Sequence, residues 1–358
     1  MKNQRKILSC LIIQHEMKTI LYLLLFFQLS VVSYSQAPYV EILTNGTKTS
    51  LRGLSVVNDN IVWVSGSQGT VGRSTNAGKN WKWMTVNGFE KVEFRDIEAF
   101  DANTAIIMGS GFPAYILKTI DGGESWKVVY ENKTKGMFLD AMDFSNNRNG
   151  IVVGDPINGK IFIARTQDTG NTWVELDDSD SKPLADRGEA FFAASGSNVR
   201  LFENNDYFIV SGGSRSRLFT NKRAVTLPII QGGETLGANA IDIFDNGMPD
   251  EPGNRMVIVG GDFNDPSSVT KNCFYSVNGG KTWMVPSTPP NGYRSCVEYL
   301  SKRDLITCGP NGVDYSNDGG ENWRWISKEG FHVCRIARIG TAVFLAGNNG
   351  KIAKLVWR

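Results

Sequence analysis

The chain has 358 residues, of which 41% are hydrophobic and 21% are charged. This balance is that of a globular protein, and it excludes a disordered or collagen-like chain. The 38 Lys and Arg residues exceed the 36 Asp and Glu residues by only two. We therefore expect no nucleic acid among the partners, because a nucleic-acid-binding protein needs a basic surface.

Residues 1–35 are predicted to be an N-terminal extension followed by a secretory signal peptide. Met17-Lys18-Thr19 precedes the apolar run from Ile20 to Phe27, and Ser33-Tyr34-Ser35 supplies the small residues of a cleavage site. The apolar run is too short to span a bilayer of about 30 Å stably. We expect translation to start at Met17 and residues 36–358 to form an exported, periplasmic or extracellular protein with no transmembrane segment.

An eight-residue pattern, Ser/Thr-x-Asp/Asn-x-Gly-x-x-Trp, occurs five times, at residues 74–81, 119–126, 166–173, 276–283 and 316–323. The Asp or Asn side chain can hold a turn by accepting backbone hydrogen bonds, and the glycine can adopt a positive φ. The Trp offers a large apolar face for packing. We interpret each copy as a structural hairpin, an Asp-box, whose defining residues are Asn76, Trp81, Asp121, Trp126, Asp168, Trp173, Asn278, Trp283, Asp318 and Trp323.

A second pattern, an apolar strand that ends in glycine, occurs seven times. Its glycines are 38 to 58 residues apart, at Gly66, Gly109, Gly154, Gly212, Gly260, Gly309 and Gly347. Repeats of this length with four short strands each are typical of β-propeller blades. We predict an all-β fold, a single seven-bladed β-propeller over residues 36–358. In blade one the strands are expected at 51–57, 60–65, 70–74 and 81–86.

The last repeat has room for only three strands before the sequence reaches Arg358. The segment Tyr39-Val40-Glu41-Ile42-Leu43 precedes the first strand of blade one and belongs to no other repeat. We therefore predict that this N-terminal strand completes blade seven and removes its exposed edge.

The strand ending in glycine, followed by Thr-x-Asp-Gly-Gly-x-x-Trp as at residues 119–126, resembles the photosystem II assembly and stability factor family. Members of this family are propellers with Asp-boxes, also called bacterial neuraminidase repeats, and the resemblance covers the mature chain. It implies a non-catalytic binding platform that helps to assemble a membrane complex. Sialidases and xyloglucan-cleaving enzymes also carry the boxes, so the motif indicates fold more strongly than function.

Counting back from the glycine of each second strand aligns one polar residue per blade at the start of the innermost strand. These residues are Arg52, Arg95, Asp140, Glu189, Asn239, Arg294 and His332. Two residues later comes an apolar row of Leu54, Ile97, Met142, Phe191, Ile241, Cys296 and Cys334. We expect the polar row to line the central mouth, with a basic arc from blades six, seven, one and two opposite an acidic arc from blades three and four.

Converging arginines suit a carboxylate, sulfate or phosphate, because guanidinium groups bind such anions bidentately. The alternative is that these charges pair with one another across the channel. We favour a binding or assembly platform that engages an envelope or extracellular protein, or an acidic glycan, at the mouth and at longer rim loops. Those loops are predicted at residues 175–188, 228–237, 246–254, 263–271 and 286–291.

The alternative function is a carbohydrate-active enzyme, either a sialidase-like hydrolase or a uronate polysaccharide lyase. A sialidase needs arginines, a Tyr nucleophile with an assisting Glu, and an acid Asp, whereas a lyase needs an Arg and a Tyr or His. The candidate residues are Tyr293, Arg294, His332, Asp140 and Glu189. The nearest match to the sialidase Phe/Tyr-Arg-Ile-Pro motif, at residues 94–97, lacks the proline.

Four cysteines remain after the leader: Cys273, Cys296, Cys308 and Cys334. Their spacings fit no zinc motif. Cys296 and Cys308 fall on neighbouring predicted strands and could form a disulfide, and buried free thiols are the other interpretation. No cofactor-binding motif occurs, so we predict neither a cofactor nor a metal. The acidic run Asp177-Asp178-Ser179-Asp180 is interpreted as a solvated loop.

Overall fold

The computed structural model describes residues 37–176, 184–244 and 253–357. The predicted leader and the acidic run 177–180 lie outside these residues. Seven antiparallel sheets form the blades of a β-propeller, as the repeats predicted. The innermost strands of neighbouring sheets contact each other in cyclic order, and the innermost strand of blade seven contacts that of blade one. Within the described part of the chain, no helix has the length and apolar character needed to cross a membrane.

Blades one to three each have four strands that run from the channel outwards in chain order. Blade one consists of Leu51–Val56, Val62–Gly66, Thr70–Ser74 and Lys82–Thr85; blade two of Phe94–Ala99, Ala105–Gly109, Ala114–Thr119 and Lys127–Asn132; and blade three of Leu139–Phe144, Gly150–Ile157, Lys160–Thr166 and Val174–Glu175.

Blades four to six repeat this order, with short strands in blades four and six and two longer ones in blade five. Blade four consists of Val199–Leu201, Tyr207–Val210, Arg217–Thr220 and Ala224–Thr226; blade five of Leu236–Phe244, Arg255–Asp262 and Cys273–Ser276; and blade six of Cys296–Tyr299, Leu305–Gly309, Gly312–Ser316 and Arg324–Ser327. In blade five, an isolated bridge from Tyr275 to Met284 takes the place of an outer strand. A short extra pair, Glu189–Ala190 with Gly212–Gly213, extends the sheet of blade five.

Blade seven is built from both ends of the described chain. Val333–Ile336, Val343–Ala346 and Lys351–Val356 are its first three strands, and a 3-10 turn at Asn348–Gly350 precedes the third. The outer strand is Tyr39–Asn45, which pairs antiparallel with Lys351–Val356 from Tyr39 opposite Val356 to Asn45 opposite Lys351.

The hydrophobic core lies between adjacent blades. The second strands are the most buried, because both faces of each one are covered by neighbouring sheets; Val62–Gly66 and Ala105–Gly109 are buried at every position. The residues of the predicted apolar row are all buried. Val40 and Leu43 of the N-terminal strand pack against the largest core cluster, which joins blades six, seven and one.

The five repeated motifs lie between the third and fourth strand positions of their blades. In each, the Ser or Thr oxygen accepts a hydrogen bond from the glycine N–H four residues later, at 2.9–3.0 Å. The Asp or Asn oxygen accepts one from the N–H four residues after it, also at 2.9–3.0 Å. The glycine of every copy has a positive φ, between 69° and 95°. These bonds hold the turn that brings the chain back along the sheet.

Candidate functional site

The innermost strands contain a β-bulge at the edge of the central mouth. In blades one, two, three and five, two residues of the innermost strand face one residue of the second strand, and the extra residues are Arg52, Arg95, Asp140 and Asn239. A bulge redirects the side chain of its extra residue away from the regular alternation of the sheet. The same row of residues was aligned from the sequence.

Blades six and seven place Ser295 and His332 in this row. Cys296 is the residue paired with Cys308, and the Ser295 N–H also donates to Cys308 O, at 2.9 Å. Two residues of the first strand thus face one residue of the second strand here too. Likewise, the His332 N–H donates to Ala346 O at 2.8 Å although Val333 is paired with Ala346.

The prediction that Arg294 lies at the mouth is wrong. Its side chain is fully buried and forms an ion pair with Asp314, which is also fully buried. The Arg294 Nε donates to Asp314 Oδ2 at 2.7 Å, and Nη1 donates to Asn311 Oδ1 at 2.5 Å. The sequence alignment was one residue out of register in blade six, and a shift of one residue turns a side chain to the opposite face of a strand.

Glu189 is not on the innermost strand of blade four either. It lies in the extra two-residue strand, where it pairs with Arg217 and accepts a hydrogen bond from the Ser211 hydroxyl. Blade four contains an insertion before its innermost strand Val199–Leu201, and this insertion displaced the predicted alignment. Glu189 therefore does not contribute to the mouth.

Asp140 occupies the expected row but is completely buried and does not line the cavity at the mouth. Among the described residues, neither carboxylate oxygen has a hydrogen-bond partner of normal geometry. Burial and the neighbouring Asp155 raise the pKa of Asp140 well above its ordinary value. The predicted acidic arc of Asp140 and Glu189 is therefore wrong, and the mouth keeps only its basic side.

The mouth is a cavity of about 450 Å³. Four residues of the predicted polar row line it: Arg52, Arg95, Asn239 and His332. The remaining lining residues are Phe138, Phe191, Phe192, Ala193, Ala194, Phe263, Tyr293, Ser295 and Pro310. The sequence analysis named Tyr293 as a candidate and expected Phe191 in the core, but it missed Phe138, Phe192 and Phe263. Nothing in one sequence separates an aromatic ring at a cavity from one that packs in the core.

The two arginines of the cavity differ in how they are held. The Arg95 guanidinium is fixed by Glu93 Oε2, which accepts from Nε at 2.9 Å and Nη2 at 2.7 Å, and it lies over the Phe138 ring. Within the described ranges, Arg52 has one side-chain hydrogen bond, from Nη1 to Ala194 O at 3.4 Å. Burial and the nearby Arg95 lower the pKa of Arg52 from its usual value.

His332 contributes a polar but neutral group to the cavity. Its Nε2 lies 3.1 Å from Ser50 Oγ and 2.9 Å from Asn348 Oδ1. Burial and the positive charge of Arg52 lower the pKa of His332 to about 4. The ring therefore carries no charge at neutral pH, and the two arginines are the cations of the cavity.

Aromatic rings form much of the remaining wall. Phe263 contacts Phe192 edge to face at 5.6 Å between ring centroids, and it contacts Tyr293 at 6.4 Å. The Tyr293 hydroxyl donates to Asn239 Oδ1 at 2.7 Å, and burial raises the pKa of Tyr293. This tyrosine is thus a protonated hydrogen-bonding group at neutral pH.

The floor of the cavity is a segment of blade four, residues 191–197, that crosses the channel. The Ser195 hydroxyl donates to Ser295 O in blade six at 2.6 Å, and Arg335 Nη2 of blade seven donates to Ser195 O at 2.9 Å. Gly196 has φ of 67°, and a Cβ at this position would lie 2.3 Å from an Asp96 carboxylate oxygen. Because the segment lies this close to Asp96, on the innermost strand of blade two, only glycine fits at position 196.

These observations define the chain as a seven-bladed β-propeller with a plugged channel and a basic, aromatic mouth. Solved structures share the fold. YCF48 bound to D1 peptide has a TM-score of 0.63 and 16% identity, and the alignment covers 92% of this chain and 100% of that one. For YCF48 from Cyanidioschyzon merolae the TM-score is 0.61 with 17% identity, covering 88% and 98% of the two chains.

The WD40 β-propeller domain of Doa1 is similar as well, with a TM-score of 0.60, 11% identity, and coverage of 90% of this chain and 98% of that one. No family model matches the chain, and no curated protein matches it in sequence. At these identities the similarity is one of fold. At that level, the resemblance to the photosystem II assembly factor propellers is confirmed.

Proposed function

We propose that this protein is an exported, non-catalytic platform that binds an acidic group of a protein partner at the central mouth. A propeller supplies a rigid ring of strands, and the bulged residues at its centre present side chains without needing to move. The solved structure of YCF48 bound to D1 peptide supports a protein partner, since that propeller has the same fold.

The observation that carries the proposal is the state of Arg52. Among the residues that the structure describes, no carboxylate forms an ion pair with it, although its side chain is only partly exposed to water and lies near a second cation, Arg95. A guanidinium in such a place is costly unless an anion neutralises it. A carboxylate in the 450 Å³ cavity would meet the Arg52 guanidinium and would lie beside Arg95, whose Nη1 donates to Ala193 O at 3.3 Å.

The rings of Phe192, Phe263 and Tyr293 add a preference for an apolar neighbour of that anion. Aromatic side chains contribute much of the binding free energy of compact sites, and a few polar or charged groups such as arginine fix the orientation of the ligand. A peptide with an acidic group next to an apolar side chain therefore matches the cavity better than a free inorganic anion. An acidic glycan, which stacks its sugar faces on aromatic rings, is the alternative ligand.

The test uses a peptide array that contains random sequences, each made with a free and an amidated carboxyl terminus, and a matched glycan array with sialosides and uronate oligosaccharides. We expect acidic peptides to be retained. Arg52→Gln should weaken their binding about tenfold or more, because a charged hydrogen bond contributes about 1.5–3 kcal/mol.

The matched control is Arg165→Gln. Arg165 also donates to a backbone carbonyl, Asn205 O at 3.1 Å, and lies over an aromatic ring, but it is on the third strand of blade three. The control should bind like the wild type. Equal binding by Arg52→Gln and the wild type would refute the proposed site.

The enzyme alternative keeps one supporting observation, that Tyr293 and His332 line the same cavity as Arg52. The other members of the catalytic sets, Asp140, Glu189 and Arg294, point elsewhere. Release of reducing ends or unsaturated uronates from the glycans, abolished by Tyr293→Phe, would favour the enzyme over the platform.

A further inference from the structure

Three cysteine side chains meet in the core below the mouth. Cys296 and Cys308 are directly opposite each other on the first and second strands of blade six, and Cys334 is on the first strand of blade seven. All three are fully buried, and their sulfur atoms lie within 4.8 Å of one another. No disulfide joins them, and Cys296 Sγ and Cys334 Sγ are 3.6 Å apart.

The spacing of the sulfurs matches the coordination of a single metal ion. With metal–sulfur bonds of about 2.3 Å, three thiolates around one ion are separated by about 4 Å. Thiolate ligands select soft ions such as zinc over calcium or magnesium. The sulfurs are thus already close to the separation that coordination needs.

The surroundings of the cluster suit a charged thiolate site. Arg335 Nη1 donates to Cys296 Sγ at 3.0 Å, and Ser197 Oγ lies 3.2 Å from the same sulfur. Three thiolates and one divalent ion carry a net charge of minus one, and the Arg335 guanidinium, which also lies 3.8 Å from Glu298 Oε2, places a positive charge beside them. The Ser197 hydroxyl, in contact with Cys296 Sγ, is a side-chain oxygen that could complete four ligands.

We propose that Cys296, Cys308 and Cys334 bind one zinc ion at the junction of blades six and seven. The sequence spacing hid this site, because the ligands come from two blades and from strands that the repeat keeps far apart in the chain. The ion would join the innermost strands of two neighbouring blades. It would also hold Ser295 and His332 in position, since these mouth residues lie next to Cys296 and two residues before Cys334.

The experiment uses the full mature chain, reduced and treated with a chelator. Zn²⁺ is added back and counted by elemental analysis, and Co²⁺ is added to a parallel sample as a spectroscopic probe. We expect one equivalent of zinc, a higher thermal midpoint with zinc, and a thiolate-to-cobalt charge-transfer band whose intensity corresponds to three thiolates.

The matched variants separate the cluster from the remaining thiol. Cys273 is buried on the third strand of blade five, so Cys273→Ser should keep the zinc and the cobalt band, whereas Cys334→Ser should lose both. The wild-type cobalt spectrum tests the proposal even if Cys334→Ser fails to fold. Wild-type protein that takes up no metal, or that shows a Cys296–Cys308 or Cys296–Cys334 disulfide in mass spectra of purified protein, would overturn it.

Discussion

Arg52 and Arg294 look equivalent in the aligned repeats, yet the structure predicts opposite results when each is changed to alanine. Arg294→Ala removes the partner of Asp314, and both side chains are fully buried. Asp314 would keep only its bonds from Asn291, of which the side-chain amide at 3.0 Å is the shortest. Breaking a buried ion pair leaves an uncompensated charge and costs about 3–5 kcal/mol of the free energy of unfolding.

Arg52→Ala should lower the free energy of unfolding by less than about 1 kcal/mol, because the Arg52 side chain is partly exposed and its hydrogen bond to Ala194 O is long. Its removal also relieves the repulsion between Arg52 and Arg95. We therefore expect Arg52→Ala to fold and melt nearly as the wild type does while losing affinity for acidic ligands.

Urea unfolding followed by tryptophan fluorescence measures both free energies. The double variant Arg294→Met with Asp314→Leu is the control, because replacing a buried ion pair by apolar residues of similar volume is often neutral or stabilising. It should recover most of the stability that Arg294→Ala loses. Equal stability losses for Arg52→Ala and Arg294→Ala would refute the assignment of one arginine to the mouth and the other to the core.

Three further predictions concern the ring itself. A chain that begins at Asn45 instead of Ala37 loses the outer strand of blade seven and exposes the edge of Lys351–Val356. Calorimetry should show a lower thermal midpoint, and gel filtration should show self-association through that edge. An unchanged midpoint would contradict the role of the N-terminal strand. Burial raises the pKa of Asp96 to about 8, so between about pH 4 and 8 the folded state holds a proton on Asp96 that the unfolded state has lost, and stability should fall as the pH rises through this window. Asp96→Asn should make the urea midpoint fall less steeply with pH. An unchanged slope would exclude Asp96 as the cause. Gly196→Ala should lower the free energy of unfolding, measured in urea, by about 1–3 kcal/mol, because Gly196 has a positive φ and a Cβ there would contact Asp96. An unchanged free energy would mean that residues 191–197 adjust freely to the new side chain.

The repeat allowed most of the fold to be predicted. The seven glycines that follow an apolar run marked all seven blades, although Gly212 lies in the extra strand Gly212–Gly213 and not in the second strand of blade four. The predicted strands of blade one agree with the structure to within two residues. The apolar row is buried throughout, because alternation along a strand is a local property, but Phe191 of blade four lies before the innermost strand and lines the mouth.

The candidate site was only partly predictable. The row of bulged residues was aligned correctly where the spacing to the glycine was regular, as at Arg52 and Arg95. In blade six the same spacing of 14 residues would have selected Ser295 instead of Arg294, but in blade seven it would have selected Val333 instead of His332, so one fixed spacing does not give the register of every blade. In blade four no spacing could have revealed that residues 191–197 fill the channel, because that depends on contacts with Ser295 and Arg335 across the ring.

The most direct test of the mouth is an isothermal titration of the best acidic peptide from the array into wild-type protein, Arg52→Gln, Arg95→Gln and Arg165→Gln. The account predicts a loss of about tenfold or more for each of the first two variants, a weaker wild-type affinity at high salt, and no change for Arg165→Gln. Wild-type affinity in both mouth variants would contradict the account.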